Sequence, residues 1–173
     1  MNQRKMYIDV DGVLVVWDRQ FNCVELSRGF GRLMRFCQIH AIQPFWITMW
    51  SKNEEHLLGL GRLLWPDICP TMAQIQILEF DGAQKAHAID YASDFVWIED
   101  GLSAADSEYL RGRNALDRFF CVNGLDPDCL LKFMEFTRVR MNLPEIVDWG
   151  PPWDSFFSRP RQMPAAESKG QKP

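Results

Sequence analysis

The sequence predicts a three-layer α/β fold, in which a mainly parallel sheet of five strands has helices on both faces. Short apolar runs alternate with amphipathic stretches along the chain, an order typical of repeated strand–helix–strand units. Helix-capping residues and prolines stand between several of these segments. The chain has 173 residues, of which 47% are hydrophobic, so one globular domain with a core of useful size is expected.

Five short apolar runs are the predicted strands of the sheet. They cover residues 6–10, 42–48, 75–78, 95–98 and 119–122. Each run is of strand length and is followed by polar or turn-forming residues. Residues 13–25, after the first strand, are rich in β-forming side chains but irregular, and could form a small hairpin. An open parallel sheet with helices on both sides is a Rossmann-like arrangement.

Five amphipathic segments are the predicted helices, at approximately 27–40, 51–64, 83–91, 103–113 and 127–140. Apolar residues recur at helical spacing in the first of them. Ser51 opens a capping box for the second helix, and Asp81 can cap the third. Ser103 begins the fourth helix. Asp126 caps the fifth, with Pro127 at its first helical position.

The composition narrows the possible functions. A net charge of −4 argues mildly against a protein built mainly to coat nucleic acid. The apolar runs are too short and too interrupted by charge for a transmembrane helix, and the N-terminal residues lack the apolar core of a signal peptide. The cysteines have no metal-binding spacing, and reduced thiols in the cytoplasm are the expectation. They are Cys23, Cys37, Cys69, Cys121 and Cys129.

The composition changes after Met141. Repeated prolines exclude a long regular element, so residues 1–143 are the predicted domain and 144–173 are a tail whose end is expected to be disordered. The tail carries four large aromatic residues, namely Trp149, Trp153, Phe156 and Phe157. These side chains either pack back onto the domain or dock a protein partner, since exposed aromatic groups are otherwise a liability.

Polar residues follow several of the predicted strands at the point where each one ends. Asp9 and Asp11 end the first strand, Thr48 the second, and Glu99 and Asp100 the fourth, while Lys85 lies in the first turn of the helix after the third. Taken singly, each has a structural explanation, and Asp11 with Gly12 would suit an ordinary turn. In an open parallel sheet, however, ligands bind beyond the carboxyl ends of the strands. All six side chains are therefore expected at one edge of the sheet.

The chemistry of this set suits phosphate transfer. Clustered carboxylates favour a hard divalent cation, and oxygen ligands select Mg²⁺, which usually also keeps waters and a substrate phosphate oxygen. Lys85 and the Thr48 hydroxyl would hold the remaining phosphate oxygens. Asp9 could attack phosphorus as a covalent acceptor. Asp11, two residues on, could protonate the leaving oxygen and later activate water.

These residues, taken in order, resemble the four sequence motifs of the haloacid dehalogenase-like (HAD) superfamily. The matching segments are Asp9-Val10-Asp11-Gly12-Val13, Thr48, Lys85 and Glu99-Asp100. The resemblance spans about residues 6–140. It implies a HAD-like fold in which Thr48 and Lys85 bind phosphate. Because Asp11 is present, it also implies phosphate chemistry rather than dehalogenation.

The resemblance implies roles for the acids as well. Asp9 would be the nucleophile that forms an aspartyl-phosphate, and Asp11 would be the general acid and base. Mg²⁺ would lie between the Asp9 carboxylate, the Asp11 backbone carbonyl and Asp100, with Glu99 close by or on the metal. The intervals in which family members carry a cap domain are filled by elements of the basic fold, so no large cap is expected. By the same resemblance, an open site implies macromolecular or bulky substrates.

Three longer segments suggest a closer similarity, to small HAD domains that include those of Swiss-army-knife RNA-repair proteins. They are WITMW at 46–50, WIEDGLSAAD at 97–106 and FFCVNGLDPDCLLKFMEF at 119–136. By this similarity Asp106 matches a recurrent acid, which is either a helper of the site or a helix cap. The similarity implies a phosphatase that acts on nucleic-acid ends or nucleotides.

Five further residues bear on nucleic-acid binding. Arg28, Arg32 and Arg35 lie on the polar side of the first helix, where they could meet backbone phosphates or simply face solvent. Trp17 and Trp50 each closely follow a motif, and could stack a base or pack in the core.

The leading prediction is a cytoplasmic, Mg²⁺-dependent phosphatase that acts on a phosphorylated substrate and has no membrane partner. The alternative is a catalytically silent HAD-fold binding module, which docks a protein partner through its aromatic tail. His56 and His87, on helices near the second and third motifs, are expected to have structural or surface roles.

Overall fold

The computed structural model describes residues 3–18, 23–27, 29–49, 69–82, 84–122, 126, 128–147, 149 and 161–162. Their strands are β1 (Arg4–Ile8), β2 (Val15–Asp18), β3 (Cys23–Leu26), β4 (Ile42–Trp46), β5 (Gln76–Ile77), β6 (Asp94–Glu99), β7 (Phe119–Cys121) and β8 (Arg161–Gln162). Their α-helices are α1 (Phe30–Ile39), α2 (Cys69–Met72), α3 (Ala104–Gly112) and α4 (Cys129–Arg140). In this part of the chain, 3₁₀ turns cover Lys85–Ala88 and Leu116–Arg118.

Five of these strands form an all-parallel sheet in the order β5-β4-β1-β6-β7. If these five strands are numbered by their order in the chain, their order across the sheet is 3-2-1-4-5. This is the order of a doubly wound α/β fold. The predicted α/β class and the parallel five-stranded sheet are confirmed. The strand order reverses between β1 and β6, and the crevice outside the carboxyl ends at such a point is where these sheets bind ligands.

Helices cover both faces of the sheet. Met6 and Ile8 of β1 pack against α1 and α4 on one face, where Phe133 of α4 is fully buried. Tyr7, between them in sequence, belongs to a second core on the opposite face, together with Leu110 of α3. Because successive side chains of a strand point to opposite faces, this alternation places β1 in the middle of three layers.

The prediction of a helix over 83–91 is wrong. Within the described residues 84–91, the 3₁₀ turn Lys85–Ala88 forms in place of a helix, and the chain is extended at the next residue. Asp90 competes with helix formation, because its carboxylate accepts the N–H of Ala92 at 3.0 Å and closes a local turn. Lys85 therefore stands in a short turn and not in the first turn of a long helix.

The start of the last helix also differs from the prediction. Helix α4 begins at Cys129 with Asp128 as its N-cap, where the sequence indicated Asp126. Asp126 lies before the helix but contacts its first turn. Its carboxylate accepts the N–H of Asp128 at 3.1 Å and pairs with Lys132 at 2.6 Å. Two other expectations are confirmed, namely a hairpin after the first strand, which β2 and β3 form, and a helix that starts at Ser103, which is the N-cap of α3.

Described residues of the tail contact the domain. Trp149 stacks on Phe36 of α1 with 6.4 Å between ring centroids, and β8 pairs with β3 of the hairpin. Packing of the tail aromatics onto the domain is thus confirmed for Trp149. Outside the described residues lie Trp153, Phe156, Phe157 and the predicted helix over 51–64. Among the helices that are described, none is long and apolar enough to span a membrane.

Candidate functional site

The carboxyl ends of β1 and β6 place two acids side by side. Asp9 directly follows β1, and its N–H donates to the Ile98 carbonyl of β6 at 3.1 Å. Glu99 is the last residue of β6, and its carbonyl accepts the Val122 N–H at 2.9 Å. Backbone pairing therefore continues to the very edge of the sheet. The register of parallel neighbours, not local sequence, brings Asp9 and Glu99 together.

A tight loop after β1 carries Asp11. The N–H groups of Leu14 and Val15 both donate to the Val10 carbonyl, at 2.9 and 2.8 Å. From the far end of the hairpin, the Ser27 N–H donates to the Leu14 carbonyl at 2.7 Å. These bonds turn the chain back on itself and leave Asp11 exposed next to the end of β1.

The six predicted residues meet in a pocket of about 160 Å³, the acidic pocket. Its lining residues are Asp9, Asp11, Thr48, Met49, Lys85, Glu99 and Asp100. The almost fully buried floor consists of Asp9, Thr48, Lys85 and Glu99. The exposed rim consists of Asp11, Met49 and Asp100. Pockets that enclose a whole small molecule measure roughly 300–1,000 Å³, so the acidic pocket suits a smaller polar group such as a phosphate.

Lys85 is the central charge of the floor. Its ammonium donates a hydrogen bond to Glu99 Oε2 at 2.7 Å and lies 3.0 Å from Asp9 Oδ1. The contact with Asp9 is an ion pair without an aligned hydrogen bond, since the buried Oδ1 atom has no hydrogen-bond donor among the described residues. Burial acts to lower the pKa of Lys85, but the charges of Asp9 and Glu99 outweigh burial and raise it. Lys85 is therefore a cation at neutral pH.

The carboxyl groups of Glu99 and Asp11 hold their protons more tightly than usual. Burial, followed by the charge of Asp9, raises the pKa of Glu99, and Lys85 offsets this only in part. Burial also raises the pKa of Asp11, and the charges of Asp9 and Asp100 add to the effect. Burial is the largest cause of both shifts, and the neighbouring carboxylates add to it.

The acidic pocket meets the requirements of a hard cation site. Asp9, Glu99 and Asp100 each offer one carboxylate oxygen, and these three atoms lie within 4.8 Å of one another. Oxygen ligands favour Mg²⁺ or Ca²⁺ over softer metals. The lining of the pocket contains four carboxyl groups and one cationic side chain, that of Lys85. The residues present therefore fit a divalent cation.

The other candidate contacts are not brought to the acidic pocket by the part of the chain that the structure describes. Arg32 is half-buried on α1 and Arg35 is exposed there, 3.5 Å from the Gln38 side chain, and neither lines the pocket. Outside the described residues lie Arg28, Trp50, His56 and the side chain of Trp17. His87 is exposed, and its ring lies 4.1 Å from that of Tyr109, which agrees with a surface role.

Sequence reasoning missed Met49 and left two interpretations of Asp106. Met49 is 49% exposed on the rim. Its position directly after Thr48 could have indicated that it borders the site. Asp106 is buried. Its carboxylate accepts hydrogen bonds from the Ala86 N–H at 2.8 Å and from the Ser103 hydroxyl at 2.6 Å.

Comparison with protein-family models, with curated proteins and with solved structures finds no significant match to this chain. The resemblance to the HAD superfamily therefore stays a prediction. The geometry of the acidic pocket, at the carboxyl edge of an all-parallel sheet, is the basis for a functional conclusion.

Proposed function

We propose that the protein is a Mg²⁺-dependent phosphatase of the HAD-like kind, which hydrolyses a phosphomonoester through an aspartyl-phosphate on Asp9. The observation that carries the proposal is the meeting of six polar residues from four distant segments in one pocket at the carboxyl edge of a parallel sheet. These residues follow the order and the strand-end positions of the HAD motifs, which supports the family assignment.

Asp9 is the proposed nucleophile. Its Oδ1 atom faces the Lys85 ammonium at 3.0 Å, so its other carboxylate oxygen is the one available to attack phosphorus. Asp9 is 4% exposed, and this burial limits the access of competing water. A phosphoryl group on Asp9 would have oxygens within reach of Lys85, while Thr48 borders the same space. These two residues would stabilise the charge that develops during transfer.

Asp11 is the proposed general acid and base. It lies on the rim, where the leaving group of a bound phosphomonoester would emerge. Burial raises the pKa of Asp11, so this carboxyl group keeps the proton that the leaving oxygen needs to a higher pH than an ordinary aspartate does. The resulting carboxylate then accepts a proton from the water that hydrolyses the aspartyl-phosphate. Acid–base help of this kind contributes on the order of 10²–10⁴-fold.

Asp9, Glu99 and Asp100, together with the Asp11 backbone carbonyl, are the residues that would hold Mg²⁺. When bound, the ion would neutralise the excess negative charge of the acidic pocket and of the phosphate. Glu99 has a second task, because its 2.7 Å bond to Lys85 orients the ammonium toward Asp9.

The dimensions of the acidic pocket favour a substrate whose bulk stays outside. Only a group of phosphate size suits the interior, and Met49 offers apolar surface on the rim. A phosphorylated nucleic-acid end or a nucleotide meets both conditions. The free thiols of Cys37, Cys121 and Cys129 fit a protein of the reducing cytoplasm.

The test is phosphate release from para-nitrophenyl phosphate, with Mg²⁺ and with EDTA. We expect metal-dependent turnover, which Asp9→Asn lowers by at least about 10³-fold because the nucleophile is lost. Asp90→Asn is the matched control, since Asp90 is an exposed acid that pairs with Lys5 near the opposite edge of the sheet. Its activity should equal that of the wild type.

Phosphorylated oligonucleotides, compared with mononucleotides, identify the substrate class in the same assay. A preference for 3′- or 5′-phosphorylated ends would support a nucleic-acid-end phosphatase. A folded protein that releases no phosphate from any of these esters, with Mg²⁺ present, would contradict the proposed function.

A further inference from the structure

The turn that carries Lys85 is too short to hold itself in place. Lys85–Ala88 is one turn of 3₁₀ helix, whose hydrogen-bond geometry is poorer than that of an α-helix, and the chain is extended directly after it. Lys85 is nevertheless 8% exposed, with its ammonium 3.0 Å from Asp9 and 2.7 Å from Glu99. Contacts from outside the turn must therefore fix its backbone.

Two side chains hold the peptide groups of Ala86, the next residue. Asp106 Oδ1 accepts the Ala86 N–H at 2.8 Å, and the Tyr91 hydroxyl donates to the Ala86 carbonyl at 2.9 Å. Ala86 is fully buried, so neither group can bond to water instead. The N–H that Asp106 accepts belongs to the peptide bond between Lys85 and Ala86. Asp106 is thus the nearer of the two anchors to Lys85.

Asp106 is itself firmly placed. It is 4% exposed and lies in the first turn of α3. Its Oδ2 atom accepts the Ser103 hydroxyl at 2.6 Å, and the Ser103 oxygen accepts the Asp106 N–H at 3.0 Å as the N-cap of α3. The segment 99–106 therefore brings Glu99 to the ammonium of Lys85 and Asp106 to the backbone beside it.

We propose that Asp106 is a positioning residue, which fixes the peptide bond after Lys85 and so holds the Lys85 ammonium against Asp9 and Glu99. Its effect on catalysis rests on the proposed function, whereas its effect on Lys85 does not. Without Asp106 the buried Ala86 N–H loses its acceptor. An unsatisfied buried amide is costly, so the turn rearranges and moves Lys85 away from the carboxylates.

The first test measures Lys85 directly and needs no substrate. Reductive methylation followed by mass spectrometry gives the labelling rate of each lysine, and Lys132, whose side chain is 62% exposed, is the internal reference. We expect Asp106→Ala to raise the labelling rate of Lys85 severalfold. Glu108→Ala is the matched control, because it removes an exposed carboxylate from the same helix but leaves both Ser103 and Asp106 in place. Lys85 should then label as in the wild type.

The second test is kinetic and uses the phosphatase assay. Asp106→Ala should lower kcat/KM by about 10²-fold, the cost of misplacing a catalytic group by about 1 Å, and Glu108→Ala should change it little. Asp106→Asn keeps an oxygen acceptor for the Ala86 N–H and should restore most of the activity. If Asp106→Ala does not fold, Asp106→Ser takes its place, since a serine is too short to reach Ala86.

An unchanged labelling rate of Lys85 in Asp106→Ala would overturn the proposal. An equal increase in Glu108→Ala would also overturn it, because the labelling of Lys85 would then respond to any change in α3. If kcat/KM falls as far in Asp106→Asn as in Asp106→Ala, the charge of Asp106 matters and not its role as hydrogen-bond acceptor, which contradicts the proposal. If no variant and no wild-type sample has phosphatase activity, the labelling rates still decide the role of Asp106, so the two proposals fail separately.

Discussion

Gly12 and Asp100 are in contact at the mouth of the acidic pocket, and a Cβ added to Gly12 would overlap the Asp100 carboxylate. Gly12 also has φ +73°, a conformation that L side chains rarely adopt. The loop after β1 and the loop after β6 thus approach more closely than any other residue at position 12 would allow. Because Asp11 directly precedes Gly12, this contact places the two rim acids beside each other.

Gly12→Ala is expected to disturb the site more than the fold. The left-handed backbone costs an L residue about 1–2 kcal/mol, and the free energy of unfolding should fall by about this amount. The added methyl group also displaces the Asp100 carboxylate from the rim. Mg²⁺-dependent phosphate release should therefore fall by a much larger factor than the loss of stability explains. Urea denaturation and the aryl phosphate assay measure the two effects.

Gly82→Ala is the control that separates backbone strain from displacement. Gly82 has φ +64°, but a Cβ there would meet no described residue within 4 Å. This variant should lose similar stability and keep its activity. Equal losses of activity in both variants would mean that the contact between Gly12 and Asp100 is unimportant to the site.

Lys85→Met is expected to destabilise the fold when no divalent cation is present. The change leaves Asp9 and Glu99, which are 4% and 5% exposed, without their cation. Removal of one partner from a buried ion pair typically costs about 3–5 kcal/mol. Mg²⁺ should restore part of the stability, because a ligand that binds only the folded state stabilises it by mass action. Thermal melts with and without Mg²⁺ measure both effects.

Lys132→Met provides the comparison for Lys85→Met. Lys132 pairs with Asp126 at 2.6 Å on the surface, where ion pairs contribute little. The melting temperature of the Lys132→Met variant should stay close to that of the wild type. If Lys85→Met were equally harmless, Lys85 would not be the main counter-charge of the acidic pocket.

The residues of the acidic pocket were predictable because two regularities coincide. Polar residues after an apolar run mark the end of a strand, and parallel neighbours bring their ends to one edge. Asp9, Thr48 and Asp100 could therefore be placed together from the sequence, and the pocket contains all three. The sheet followed from the same apolar runs, whose lengths suit strands.

The local structure around Lys85 depends on contacts that no local pattern encodes. Residues 83–91 have a helical pattern. However, the Asp90 N–H donates to the Tyr7 hydroxyl of β1 at 3.0 Å, and this bond is incompatible with a continuous helix there. The bond between Ala86 and Asp106 likewise joins residues 20 positions apart. Tertiary contacts of this kind override helix propensity.

Asp100→Asn is expected to weaken Mg²⁺ binding without unfolding the protein. Asp100 is exposed, and it offers one of the three clustered carboxylate oxygens. Loss of this anionic ligand should lower the apparent affinity for Mg²⁺ by at least about 10–100-fold. Isothermal titration with Mg²⁺ measures the affinity without a substrate. Glu108→Gln, at an exposed acid on α3, should bind Mg²⁺ like the wild type, and equal affinity in Asp100→Asn would exclude Asp100 from the metal site.

His40 is expected to make the fold less stable in acid. It is 6% exposed at the end of α1, and its ring packs edge-on against Phe36 with 4.6 Å between centroids. Burial, followed by the charge of Arg4, lowers the pKa of His40 below its usual 6.5. The folded protein therefore disfavours a proton that the unfolded chain accepts. This contribution to stability is complete above about pH 6.5 and is lost as the pH falls through that value toward the lower pKa of the folded state.

His40→Leu tests this pH dependence, because leucine cannot ionise. Urea denaturation at about pH 7 and at about pH 5 gives the free energy of unfolding on either side of the unfolded pKa. The variant should lose less stability than the wild type over this interval, by up to about 1.4 kcal/mol per pH unit. Identical losses in the two proteins would mean that His40 accepts its proton as readily in the fold as in the unfolded chain, which its burial against Phe36 argues against.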